Sequence, residues 1–233
     1  MADPLIVLLE DDHMLAVAKP AGLLTQGRPG QSTLEDAVRR YLRPADPGSV
    51  YLGTVHRLDR PVSGVVVWAR TPRDAKRLST QFAARMVSKE YWAIVEPRQA
   101  PPAPDAEGIW VDCLASSSDA RGVVAIVAEG TPGARQAVTR FRREMDDTAP
   151  FRAPEGLVAL RLWPRTGRTH QLRAQAAARG LPVWGDTAYG ASRPFPLGIA
   201  LHARSLELQH PALHRLLTIV APPPATWAEA GIS

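Results

Sequence analysis

"VHRLDRPVSGVVVWAR", residues 55–70, is the stretch on which the reading of the fold turns. Its second half, Gly64–Arg70, is apolar at nearly every position. A run without the in-out alternation of a half-buried strand reads as a strand covered on both faces. Its first half places one carboxylate, Asp59, between Arg57 and Arg60, with His56 ahead and Ser63-Gly64 behind. Two readings stay open at this level. Asp59 is either a strand-end carboxylate paired with a neighbouring arginine, as surface carboxylates commonly are, or an ionised carboxylate held ready for chemistry by a cation that lowers its pKa.

Working outward, "PLIVLLEDDHMLAVAKPAG" reads as two short strands around an acidic turn, closed by Pro-Ala-Gly. "STLEDAVRRYL" reads as a helix with a Ser32–Glu35 capping box and Leu34, Ala37, Val38, Tyr41 and Leu42 on one face. "TPRDAKRLSTQFAAR" reads as a second helix, with Thr71 as N-cap, Pro72 in the first turn and Asp74 closing the box. "SKEYWAIVEP" is a strand, and residues 97–107 form a Pro-rich loop. "GIWVDCLA", "GVVAIVAEG" and "ARQAVTRFRRE" alternate like antiparallel strands, with turns at "SSSDAR" and "GTPG". "GLVALRLWP" is a further strand, and "RTGRTHQLRAQAAARG" is a turn and a helix ending at Gly180. "IALHARSLELQHP" and "LLTIVAP" are the last strands, and the prolines at 222–224 read as a tail. Many mostly antiparallel strands with a few interspersed helices make an α+β protein. No composition shift divides it, so residues 1–233 are expected to form a single domain.

Composition narrows the classes. The 233 residues carry ordinary globular proportions, 45% apolar and 22% charged. One cysteine, Cys113, excludes an intrachain disulfide and suits a reducing compartment. The longest apolar runs, such as Leu5–Leu9, are far too short to span a membrane. The N-terminus lacks the positive start and cleavage site of a signal peptide, so a cytoplasmic location is expected. The net charge of +5 and pI near 9.9 come mostly from arginine. Arginine suits phosphate contact and base stacking, which gives weak support to a nucleic-acid partner.

Two further stretches carry candidate chemistry. In "RTGRTHQLR", residues 165–173, Arg165, Arg168 and Arg173 crowd a Thr-Gly turn that opens a helix. Backbone N–H groups at such a place attract an anion. The competing reading is a solvated basic turn. In "KEYWAIV", Tyr91 and Trp92 point to opposite faces of one strand, so at most one faces any given site. An aromatic there is either core packing or a platform for a base. His56, His170 and His202 lack metal-ligand spacing, so no metal site is expected. Ser63 lacks the GxSxG elbow of a serine hydrolase. No Walker-type loop or strand-coupled GxGxxG supports a nucleotide cofactor.

"KPAGLLT", "VHRLDRPVSGVVVWAR", "KEYWAIVE", "LWPRTGRTHQLRAQAAARGLPVWGDTAYG" and "LHARSLELQHP" occur in this order. Together they resemble the RluA-type family of RNA pseudouridine synthases, from about Leu5 to Trp227 and weakly between about Pro97 and Arg135. The resemblance implies a pseudouridine synthase fold: a long, mixed, mostly antiparallel sheet bent between two half-domains, with the active cleft across its middle. It implies isomerisation of uridine to pseudouridine inside RNA, with no cofactor and no metal.

Residue by residue, the resemblance makes Asp59 the catalytic aspartate, acting as nucleophile or as base. Arg173 matches the basic residue that pairs with it. Tyr91 matches the tyrosine that stacks on the uracil. Leu172 and Leu201 sit where relatives place apolar residues close to the base. Arg57 matches an arginine that fills the gap left by a flipped base. A uridine in a stem or stacked loop hides its glycosidic bond, so extrusion is required, at a cost of a few kcal/mol. Arg165 and Arg168 are candidate phosphate contacts. Pro61-Val62 departs from many relatives, which have a Thr before the Ser-Gly. Many relatives also begin with a small RNA-binding domain, for which there is no room ahead of a strand that starts by Leu5. Recognition is then expected from the catalytic domain and its loops at 97–107 and 190–198. The expected partner is a ribosomal or transfer RNA stem-loop, bound by a monomer. Two alternatives accompany this reading. One is a catalytically silent RNA-binding or RNA-folding protein on the same fold. The other is a carboxylate-dependent hydrolase of a sugar or nucleoside, with Asp186 as the second carboxylate.

Overall fold

The computed structural model describes residues 5–28, 30–103, 105–116, 122–144 and 149–233. The chain forms two compact units. The first comprises Met1–Lys89 and Ala203–Pro223, the second Glu90–His202 and Pro224–Ser233.

In the first unit, β1 (Ile6–Glu10) and β2 (Met14–Lys19) form an antiparallel hairpin, and β2 pairs antiparallel with β4 (Ser63–Ala69). A two-residue strand, β3 (Gly53–Thr54), adds to β4, and β10 (Leu201–Gln209) pairs with β11 (Leu216–Val220). The expected strand Gly64–Arg70 is β4, and all seven of its residues are buried. Met14, Ala16, Val65, Val67 and Ala69 pack with Leu78, Leu206, Leu208 and Ile219. The alternate positions Leu15, Val17, Val66 and Trp68 are fully buried as well. Both faces of β2 and β4 are thus covered, which is why neither alternates. The acidic turn between β1 and β2 is tied down by Asp11, which accepts from the backbone N–H groups of His13 (2.8 Å) and Met14 (2.9 Å). Its other oxygen meets Nε2 of the buried His210 at 2.8 Å.

The helices follow their caps. α2 (Pro72–Ala83) begins as expected, with Thr71 accepting from Asp74 N–H at 3.1 Å. α1 (Leu34–Leu42) starts one residue later than the Ser32–Glu35 box implies: Thr33 is the cap, and it pairs with Asp36. Tyr41 is not on the buried face; it is 48% exposed and donates to Glu10.

Ser63-Gly64 opens β4; a turn lies just before it, where Val62 N–H donates to Asp59 O at 3.1 Å. Gly64 has φ +124°, and a Cβ there would lie 2.2 Å from the Ala203 carbonyl oxygen. Only glycine fits so close an approach of two backbones. Gly64→Ala is expected to cost about 2–3 kcal/mol through overpacking and backbone strain, read as a lower urea midpoint.

In the second unit the order is β5 (Ser88–Val95), β9 (Val158–Pro164), β8 (Arg135–Glu144), β6 (Glu107–Ser116) and β7 (Val124–Val127), each pair antiparallel. Most of the expected "SSSDAR" turn lies outside the described residues. One sheet face packs Trp92, Ile94 and Ala159 against Phe151, Trp227 and Ile232. Trp227 belongs to α4 (Ala225–Glu229), so the chain after the prolines is not a loose tail but part of this core. The opposite face carries Trp110, Ala137, Thr139, Phe141 and Leu162, and α3 (Gln171–Ala178) lies on it: Ala174 packs with Ala137 and Leu114, and Arg179 stacks on Trp110.

Candidate active site

Asp59 lies in the loop between β3 and β4, and its neighbours on both sides are clamped to "KPAGLLT". On one side, the Thr25 hydroxyl donates to Leu58 O (2.9 Å) and accepts from Leu58 N–H (3.2 Å). On the other, Arg60 O accepts from Gly22 N–H (2.9 Å), and the Arg60 side chain donates to Gly22 O. Lys19 completes the clamp. It is 1% exposed, and its ammonium donates to Pro20 O (2.9 Å), Leu23 O (2.6 Å) and Arg60 O (3.1 Å). Burial pushes its pKa down to about 7, against the pull of the Asp59 charge, which raises it. Three carbonyls call for three N–H donors, which only the ammonium form supplies. Sequence reasoning passed over Lys19 as a strand end; its place in a quoted motif was the available signal.

His56 fixes the start of the same loop. Its Nε2 accepts from Val67 N–H at 3.0 Å, and its ring stacks on Phe82 with centroids 4.9 Å apart. A nitrogen that accepts carries no proton, so the folded protein holds neutral imidazole. Burial, with the nearby Lys89 charge, pushes its pKa down to about 3 from 6.5. The unfolded chain therefore binds a proton that the folded one refuses. Stability present above about pH 6.5 is lost as pH falls toward 3. The melting temperature of the wild type is expected to fall more steeply between those limits than that of His56→Asn, measured by calorimetry across pH.

In the second unit, Tyr91 pairs in register with Leu162, and Leu162 with Phe141. Tyr91 is thereby on the sheet face that carries α3, while Trp92 is in the core behind it. Neighbouring Glu90 is fixed by two bonds from Arg161 (2.9 and 3.0 Å) and one from Trp92 Nε1 (2.8 Å). Leu172 and Arg173 are buried on α3, and Leu201 is buried at the start of β10.

The "RTGRTHQLR" segment is held by a buried polar chain. Val138 N–H donates to the Thr166 hydroxyl, which donates to Gln171 Oε1 at 2.7 Å. Gln171 Nε2 donates to Thr139 Oγ1, whose hydroxyl donates to Gln175 Oε1 at 2.6 Å, and Gln175 reaches Asp112 at 2.7 Å. α3 starts only at Gln171, with His170 as N-cap. Arg165 therefore stands exposed just after β9, and Arg168 sits in the turn, donating to Gln136 O. Neither is in the helix, whereas Arg173 is.

Arg173 makes a two-pronged ion pair with Asp186, Nε to Oδ2 at 2.6 Å and Nη2 to Oδ1 at 2.8 Å. Asp186, the candidate second carboxylate of a hydrolase, is thus the buried counter-ion of an arginine. Glu96, also buried, accepts from Ser192 N–H, Ser192 Oγ and Arg193 N–H (2.8–3.0 Å) and so anchors the 190–198 loop.

The sequence model of the RNA pseudouridylate synthase family matches residues 13–178. This chain belongs to that family. The match takes in the Asp59 loop, Tyr91 and Arg173. Among similar synthases is a ribosomal large subunit pseudouridine synthase D of Xanthomonas campestris, 34% identical over 95% of this chain and 66% of that protein. The chain thus spans about two-thirds of the length of that ribosomal relative. An uncharacterized RNA pseudouridine synthase of Zymomonas mobilis is 36% identical over 97% of this chain and 96% of its own. The solved structure of human RNA pseudouridylate synthase domain containing 4 shares the synthase fold, with TM-score 0.72 at 23% identity over 98% of this chain and 94% of that one. No helix among the described residues is long and apolar enough to cross a membrane.

Proposed function

We propose that this synthase isomerises uridine to pseudouridine within structured RNA, ribosomal or transfer, in the cytoplasm, acting as a monomer on a locally folded stem-loop. The family match over residues 13–178 carries this reading. The clamped Asp59 loop and the arginine-rich composition support it. In the reaction the C1′–N1 bond breaks, the uracil turns and a C1′–C5 bond forms. The C5 proton leaves and N1 gains one, so nothing is oxidised or reduced.

Asp59 acts on the extruded nucleotide as nucleophile or base, with Arg173 as its cation. Tyr91 stacks on the uracil, and Leu172 and Leu201 border it with apolar surface. Arg57, exposed beside Asp59, enters the stack that the flipped base leaves; arginine both stacks and hydrogen-bonds there. Arg165 and Arg168 contact phosphates. The test is tritium release from unmodified transcripts of large-subunit ribosomal RNA and transfer RNAs labelled at uridine C5. Release to water at one or a few sites is the expected result. No release from either class of RNA would overturn the proposal.

A further inference from the structure

The Arg173–Asp186 pair is unusual in its completeness. The two side chains are 7% and 2% exposed, and the contact is two-pronged. The Arg173 guanidinium also lies over the Tyr189 ring, 4.9 Å from its centroid. Tyr189 is itself fixed: its hydroxyl accepts from Val124 N–H at 2.8 Å and meets His170 Nδ1 at 3.0 Å. The Asp186 backbone is fixed too, with its carbonyl accepting from Tyr189 N–H and Ala191 N–H and its own N–H donating to Val183 O. Nothing in this arrangement lets the guanidinium rotate.

We propose that Asp186 is a positioning residue of the reaction: by gripping one edge of the Arg173 guanidinium, it sets the direction in which the other edge donates. This rests on the reading that Arg173 serves Asp59. Of the five N–H donors of an arginine, the grip takes two and leaves three on the far edge. It also sets the charge. An arginine already balanced by a carboxylate offers oriented hydrogen bonds with little net positive charge. A full cation would hold the catalytic carboxylate ionised more tightly and make it a weaker nucleophile and base. A buried ion pair is by itself a poor source of stability, because desolvation offsets its attraction. A role in stability alone thus gives a weak account of so complete a pair.

The test uses the full chain with the C5-tritiated transcripts, following single-turnover rates across pH and RNA affinity by filter binding. Asp186→Asn keeps the shape and removes the charge. Its rate is expected to fall about 10²-fold, the cost of a misplaced catalytic group, with RNA affinity unchanged and the acid limb of the rate profile moved to lower pH. Asp186→Glu keeps the charge, and so the pairing of the buried arginine, but moves the carboxylate by one methylene. It is expected to fold, to bind RNA as before and to lose about tenfold in rate. If Asp186→Asn does not fold, Asp186→Glu decides alone. A folded variant at wild-type rate would overturn the inference. So would a rate loss matched by an equal loss of RNA binding with the acid limb of Asp186→Asn unmoved. A wild type that releases no tritium would overturn the proposed function and this inference with it; an active wild type confines any failure to Asp186.

Discussion

Asp59→Asn is expected to lower the rate of pseudouridine formation by ~10³-fold or more, with the protein folded and RNA affinity unchanged. The reason lies in how the loop is held. The backbone of the loop is held by Val62 N–H donating to Asp59 O, Gly22 N–H donating to Arg60 O, and the Thr25 hydroxyl bonded to Leu58. Asn has the same shape and leaves all of these in place. What it removes is a charge, and with it the capacity to attack a sugar carbon or take a proton. Single-turnover kinetics beside a calorimetric melt separate the two effects. A catalytically silent RNA-binding protein would show no difference in its biological role between the two proteins. A variant that isomerises uridine at the wild-type rate would remove Asp59 from the chemistry.

The second large effect is on stability. Lys19→Met is expected to cost about 3 kcal/mol, because Pro20 O and Leu23 O, in part-buried bonds, lose a charged donor at roughly 1.5 kcal/mol or more each. Arg60 O keeps Gly22 N–H, so its loss is smaller. Met restores the apolar stem but none of the donors. The damage falls on the segment that holds the Asp59 loop, so activity per folded molecule should fall as well. Urea unfolding gives the first quantity, and single-turnover rates in stabilising sucrose give the second. A variant with the wild-type urea midpoint would show that the three carbonyls do not depend on Lys19.

Much of this was legible in the sequence where local signals decide structure. β4 declared itself because a strand buried on both faces must be apolar throughout. α2 declared itself because Thr71, Pro72 and Asp74 allow one start. α1 offered two adjacent boxes, Ser32–Glu35 and Thr33–Asp36. The choice is made by Leu34 N–H donating to Leu24 O and by the bridge between Leu24 and Thr33, which hold Thr33 extended. Sequence spacing cannot see such a contact. β3 is two residues long and has no period. α4 follows three prolines, and the burial of Trp227 comes from Phe151 and His202, far away in the chain.

The site divides the same way. Asp59, Tyr91 and Arg173 came from motifs. Lys19 acquired no role from the sequence, and Asp186 only that of a hydrolase's second carboxylate, since each meets partners that only the folded chain supplies. Lys19 bonds a carbonyl 41 residues away, and Asp186 meets Arg173 across 13 residues of helix and turn.

The most direct measurement is a pseudouridine map. Unmodified total RNA is treated with purified wild type and with Asp59→Asn, and new pseudouridines are located as carbodiimide-dependent reverse-transcription stops. The account predicts new stops at discrete uridines with the wild type and none with the variant, and their positions name the substrate. Identical maps from both proteins, or no stops from the wild type on RNA that it binds, would contradict it.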